Sequence, residues 1–329
     1  VAKAAGLQYH VIDSGKFRRY GRGIGEITDL RTIGKNARDA AAFLRGNRQA
    51  QKLLKELNPD VIFVKGGYVG LPVGLAARRL KIPLIIHESD VIMGLTNRIL
   101  SRYAEFVATG FPVAAYAEKL HHKLVYTGNV IRQEFYTHSK ATKSTPVPTI
   151  LILGGSTGAQ KINQAVWEAL PGLTGMAKII HQTGDQGVQL ALAAQAKLIK
   201  NQQPRYQPMA FIDEELTTIM TEASLVVSRA GANTLAELAA TAQPTILIAL
   251  PNAANGHQQA NAAFVIARGG ARSIKQSELT PQRLNQTVRD LLEHTTDRLA
   301  LSKAIHRLAT PQAADKLAKL ILQAGQAAA

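Results

Sequence analysis

Cysteine is absent from the 329 residues. That excludes a disulfide-stapled fold, a cysteine-ligated zinc site, an iron–sulfur cluster and thiol catalysis. Long apolar runs are absent too. The best stretches, residues 69–77 and 245–250, are interrupted or short against the roughly 20 residues of a membrane-spanning helix. Residues 1–16 carry no apolar segment of the signal-peptide kind. The sequence thus predicts a chain that is soluble, or at most peripheral to a membrane. It holds no D-x-D carboxylate pair to fix Mg²⁺ on a nucleotide diphosphate, no H-E-x-x-H and no G-x-x-x-x-G-K-[ST]. No metal and no cofactor are expected, and a phosphate must be met by helix ends and cations. Acidic residues are few: 23 against 39 basic ones, a net charge of +16. Such a balance asks for an anionic partner. Only 17 aromatics and no nucleic-acid motif leave nucleic acid resting on net charge alone, so none is expected as a partner.

Hydrophobic residues reach 46 %, a globular composition, and the length suits two domains. The dominant pattern is a short β-branched run, a glycine-containing turn, then an amphipathic helix. The runs are residues 60–65, 83–87, 106–109 and 124–127 in the first half. In the second half they are 149–153, 178–182, 208–212, 225–228 and 245–250. Most are almost wholly apolar, as parallel strands buried on both faces require. Helical patterns cover 159–170, 185–199, 234–240 and 258–268. Strand alternating with helix means a parallel α/β sheet. The polar, proline-bearing stretch 137–148 reads as a linker. The expected division is therefore 1–140, 141–310 and a terminal helix over 311–329. Residues 9–12 supply one short strand before the basic stretch 16–22, so the first domain lacks the opening strand and Gly-rich turn of a doubly wound unit.

Several strand–helix junctions carry chemistry. Gly154-Gly155-Ser156-Thr157-Gly158 lets backbone approach a phosphate at a helix N-terminus. It also suits a plain tight turn. Ser228-Arg229-Ala230-Gly231 opens a second helix through Ala232, Asn233, Thr234, Leu235, Ala236 and Glu237. Its N–H groups suit a diphosphate, and Glu237 suits a ribose diol. Gly256-His257-Gln258 with Asn261 starts a third helix whose amides can read sugar hydroxyls. All three fall where α/β folds bind ligands, at the carboxyl edge of a sheet. In the first half, His87, Glu88 and Asp90 are titratable groups at a strand end, either a base or a structural cap. Arg132 suits an anion or the solvent.

Together the junctions resemble the MurG family of glycosyltransferases. The resemblance rests on Gly66-Gly67-Tyr68-Val69, residues 82–88 with Gly94-Leu95-Thr96-Asn97-Arg98, and Thr127-Gly128-Asn129 with Arg132. It continues through Gly154-Gly155-Ser156 with Gly158-Ala159, His181-Gln182-Thr183-Gly184, Phe211-Ile212-Asp213, residues 229–237, and His257-Gln258 with Asn261-Ala262. It implies a GT-B fold: two doubly wound Rossmann-like domains facing across a cleft, the second binding UDP-N-acetylglucosamine (UDP-GlcNAc). Ser156 would meet the diphosphate and the Ile212 backbone the uracil. Ala232, Asn233, Thr234, Leu235, Ala236 and Glu237 would cradle diphosphate and ribose, and Gln258 would hold the sugar. Arg132 would reach the donor. Asp90 stands where the family often has Asn; ionised, it accepts but cannot donate.

The implied reaction is inverting transfer of GlcNAc to the 4-hydroxyl of undecaprenyl-pyrophosphoryl-MurNAc-pentapeptide, lipid I to lipid II. It takes place at the cytoplasmic side of the cell membrane, in peptidoglycan synthesis serving cell-wall biogenesis, cell shape and division. Other cell-wall synthesis proteins are admissible partners. Arg18, Arg19, Arg78, Arg79 and Lys81 would meet an anionic membrane surface, at about 1 kcal/mol per basic residue. The alternatives are a truncated, non-catalytic nucleotide-sugar-binding chain, or another UDP-sugar transferase or epimerase of the same fold. The family's opening Gly-Gly-Thr-Gly-Gly-His turn, whose His is proposed as base, has no counterpart in this sequence. Roughly 40 residues of the pattern are missing. The catalytic base is thus unassigned, with His87 and Glu88 as the remaining candidates. A fragment or misplaced start explains this better than an inactive chain, because the other motifs read intact. The 329 residues are expected to bind UDP-GlcNAc weakly without turning it over.

Overall fold

A computed structural model describes residues 6–15, 30–137 (30–37 by backbone only), 147–154, 160–250 and 256–326. Among these, residues up to 89, 93–127 and 315 onward form one compact unit; residues 90–92 and 128–314 form the other.

The first unit begins with α1 (Leu30–Leu57), which packs on α2 (Gly70–Arg79). Ala50 and Leu54 of α1 meet Ala76 and Ala77 of α2, small residues that let the helices approach closely. The strands β1 (Ile62–Val64), β2 (Leu84–Glu88), β3 (Phe106–Thr109) and β4 (Leu124–Tyr126) form a parallel sheet in that order, with α3 (Leu95–Leu100) following β2. All five residues of β2 are buried, as its apolar run predicts. Residues 9–12, expected as a strand, are not one: Tyr9 and Val11 face solvent, and only Ile12 packs, against the α1–α2 cluster. A run with one inward side chain offers too little burial to hold a strand.

The second unit opens with α4 (Glu134–Thr137); residues 138–146 of the expected linker lie outside the described residues. Then come β5 (Thr149–Leu153), α5 (Gln160–Met176), β6 (Lys178–Gln182), α6 (Val188–Ala196), β7 (Tyr206–Met209), α7 (Leu216–Glu222) and β8 (Leu225–Ser228). They are followed by α8 (Ala232–Ala240), β9 (Thr245–Leu247), α9 (His257–Ile266), β10 (Arg272–Ser273), α10 (Pro281–Glu293) and α11 (Thr295–His306). The six strands are parallel in the order β10-β9-β8-β5-β6-β7. Ile150, Ile152, Val227 and Ile246 from the sheet join Ile162, Val166, Leu170 and Leu173 from α5 in one core. Strand β7 lies earlier than the expected 208–212. Met209 is the last residue in register with β6, pairing with Gln182, and the apolar Phe211-Ile212 pair belongs to the loop beyond. The final helix, α12 (Ala313–Gln326), groups with the first unit from Asp315 and sets Gly325 against Val61.

Gly128 has φ +89°, and a Cβ there would sit 2.1 Å from Thr310 Oγ1. Gly128→Ala should therefore lose about 1–3 kcal/mol from strain and overlap, read by chemical denaturation. Pairing it with Thr310→Gly should recover the overlap but not the strain.

Candidate functional site

The strand order of the second unit reverses beside β5. The chain steps from β5 to β6 and β7 on one side, then returns to lay β8, β9 and β10 on the other. A reversal of strand order of this kind is where parallel α/β sheets open a crevice at the carboxyl edge. A cleft of about 970 Å³ occupies it. Gly154, Gln182, Ile212 and Arg229 line it from strand ends and the loops after them, and Asn233 and Gln258 from the starts of α8 and α9.

At its middle, α8 begins after Gly231 with no side-chain cap. The first helical bond runs from Leu235 N to Gly231 O, 2.9 Å, so the N–H groups of Ala232, Asn233 and Thr234 have no acceptor within the helix. Asn233 and Thr234 border the cleft. Ala232 and Leu235 are buried, so only their backbone can serve a ligand. Lys161, Arg132 and Arg229 add positive charge around the cleft. Arg229 is buried and donates to Ile248 O at 2.9 Å, and burial lowers its pKa. Arg132 donates to Asp213 O at 3.1 Å.

Glu237, one turn into α8, also lines the cleft. Burial pushes its carboxyl up to about 7, against the pull of the Arg132 guanidinium. At the β7 flank, Ile212 N donates to Gln182 Oε1 at 3.1 Å, so the side chain of Gln182 holds in place the backbone expected to meet uracil. Behind it, His181 is fully buried between Tyr206 Oη (2.9 Å) and Asn163 Oδ1 (3.1 Å), and Asn163 Nδ2 donates to Thr183 O at 2.8 Å. Desolvation lowers the His181 pKa to about 3, so this ring is neutral and structural.

The structure brings Arg132, Ile212, Asn233, Thr234, Glu237 and Gln258 to one cleft. Ser156, Arg18 and Arg19 lie outside the described residues. Asp90 does not line the cleft. Its Oδ1 accepts from Asn261 Nδ2 at 2.7 Å and its Oδ2 lies 3.4 Å from His257 Nδ1. Burial raises its pKa, but the bonds from His257 and Asn261 outweigh that, and the net displacement is downward. His87 and Glu88 are buried. Glu88 Oε2 accepts from Gly94 N and Asn97 Nδ2, both at 2.9 Å, holding the start of α3 rather than presenting a base at a surface. Arg78, Arg79 and Lys81 are exposed, with Arg78 stacked 3.8 Å from the Tyr103 ring centre. Sequence reasoning missed Lys161, Gln186 and Gln276. Lys161 stands just after the glycine-rich turn and was within reach of the motif; the other two carry no local signal.

Residues 1–109 match the glycosyltransferase family 28 N-terminal domain, and residues 149–318 match the glycosyltransferase family 28 C-terminal domain. A relative from Lachnoclostridium phytofermentans is named UDP-N-acetylglucosamine--N-acetylmuramyl-(pentapeptide) pyrophosphoryl-undecaprenol N-acetylglucosamine transferase. It is 39% identical over 297 residues, 88% of this chain and 78% of the relative. The crystal structure of Acinetobacter baumannii MurG aligns with TM-score 0.74 and 30% identity, over 98% of this chain and 86% of that one. The chain belongs to the MurG family. The calicheamicin glycosyltransferase CalG4 shares the fold alone, with TM-score 0.65 at 14% identity over 98% of this chain and 87% of its own. The fold is GT-B with two parallel-sheet, Rossmann-like units, the class that the strand–turn–helix pattern and the family resemblance predict.

The raised pKa of Glu237 has a stability consequence. Its carboxyl favours folding fully below the ordinary 4.5, and that contribution is lost as pH rises to about 7. Glu237→Gln should accordingly raise the melting temperature of the ligand-free protein by several degrees at pH 8 and leave it unchanged at pH 4.5 or below. Equal melting at pH 8 would count against the buried carboxyl.

Proposed function

We propose that the chain transfers GlcNAc from UDP-GlcNAc to the 4-hydroxyl of undecaprenyl-pyrophosphoryl-MurNAc-pentapeptide, inverting the anomeric carbon from α to β. The carrying observation is the cleft at the strand-order reversal, centred on an uncapped helix N-terminus and ringed by cations, in a chain of this family. The acceptor oxygen bonds to C1 of the sugar as the bond from C1 to the β-phosphate oxygen breaks. UDP departs with the electron pair, and the acceptor's hydroxyl proton passes to a base. Charge therefore grows on the diphosphate in the transition state. Preorganised N–H groups at the α8 start, with Lys161 and Arg132, oppose that charge where it develops.

Glu237, ionised on binding, accepts from the ribose hydroxyls. Gln258 holds the sugar, and Ser156 contacts the diphosphate. The first unit takes the lipid-linked acceptor, with Arg78, Arg79 and Lys81 turned to anionic lipid. No helix among the described residues is long and apolar enough to cross a membrane, and the reading places the protein peripherally at the cytoplasmic face. Its product feeds peptidoglycan synthesis, on which cell shape and division depend. A transferase reading is favoured over an epimerase or a non-catalytic binder by the matched relatives.

Calorimetry tests the donor site directly. UDP-GlcNAc should bind the protein and be displaced by UDP. Glu237→Ala should weaken it about tenfold or more, because the bond lost is to a charged group, and Gln258→Ala somewhat less. Unchanged affinity in both variants would sink these assignments. In a chain carrying the family's Gly-Gly-Thr-Gly-Gly-His turn upstream, UDP release should require lipid I; release without it would overturn the acceptor.

A further inference from the structure

Among the described residues, buried side-chain polar atoms without a hydrogen-bond partner are scattered over both units, and two belong to residues lining the cleft: Gln258 Oε1 and Gln276 Oε1. An amide oxygen taken from water and given no donor costs its full desolvation penalty, and such atoms call for a missing partner. Both orphans are acceptors, so the missing partner is a donor. Gln276 opens a short 3-10 turn, Gln276–Glu278, just beyond β10. Its position is fixed from two residues back. Ile274 N donates to Leu247 O at 3.1 Å, prolonging the β9–β10 ladder, and the Ile274 side chain is buried in the core. The β9–β10 flank is opposite the Ile212 flank of the same carboxyl edge. A nucleotide sugar laid across the α8 start with its base toward Ile212 brings its hexose to the Gln276 side.

We propose that Gln276 is a sugar contact and specificity residue: its amide oxygen accepts from a hydroxyl or acetamido N–H of the hexose, beside Gln258. This rests on the nucleotide-sugar reading of the cleft. The test compares Gln276→Met, which keeps length without hydrogen bonding, and Gln276→Ala with the unaltered protein, titrating UDP-GlcNAc and UDP separately by calorimetry. Affinity for UDP-GlcNAc should fall about 3–10-fold while affinity for UDP holds. The ligand-free Met variant should melt at the same temperature or higher, since no bond of the free protein is lost. Equal losses for both ligands, no loss for either, or a clearly lower melting temperature in the Met variant would each overturn the assignment. If the unaltered protein binds neither ligand, the nucleotide-sugar reading itself fails, and Gln276 falls with it.

Discussion

Which side of β5 receives the next strand governs the rest of the cleft. Had β8 been laid beyond β7, the loops leaving adjacent strands would run alongside one another and fill the carboxyl edge. Because β8 lies on the other flank of β5, the start of α8 stands at the strand-order reversal and borders the cleft. The electrostatics follow from that topology. An uncapped helix start carries positive partial charge, and Glu237 one turn further in is buried enough to hold its proton near neutrality. A positive helix start and a reluctant carboxylate are two results of one crossing.

The tip of β6 is held by two separate devices on successive residues. Adjacent side chains on a strand point to opposite faces, and here one side chain belongs to the interior and the next to the cleft. His181 looks toward α5 and β7, where Asn163 and Tyr206 close a neutral polar network. Gln182 looks toward the cleft and fastens the loop after β7 through Ile212. The pair fixes this wall of the cleft from behind and from within.

Much of this was legible in the residues. Thr149–Leu153, Lys178–Gln182 and Leu225–Ser228 are strands from end to end because central parallel strands must be apolar on both faces. The residues after them could be read as bordering a cleft because glycine and small polar residues follow each. Legibility failed where the deciding contact is remote in sequence. Nothing local tells that Asp90 pairs with Asn261 and His257, some 170 residues away, or that Gln276 reaches the cleft. The 28-residue α1 is less plain in the sequence: among its described side chains, Ala50 and Leu54 pack against α2. Beta-strand β7 was displaced in the reading because Phe211 and Ile212 look like strand residues, although Phe211 is exposed and borders the cleft.

Proline 208, on that same outer strand, bears on how the molecule behaves among its copies. Met209 O accepts from Thr183 N toward β6, whereas Tyr206 O accepts from Gln195 Nε2 at 2.6 Å on the far side. Alternate residues of a parallel strand address opposite neighbours, so Pro208 shares the outward parity of Tyr206 and offers no N–H there. One outward carbonyl is already taken and one outward donor does not exist. At the other rim, β10 is two residues long. A foreign strand seeking to extend this sheet finds almost no ladder to join, and on the β7 rim a residue of α6 already occupies an outward carbonyl.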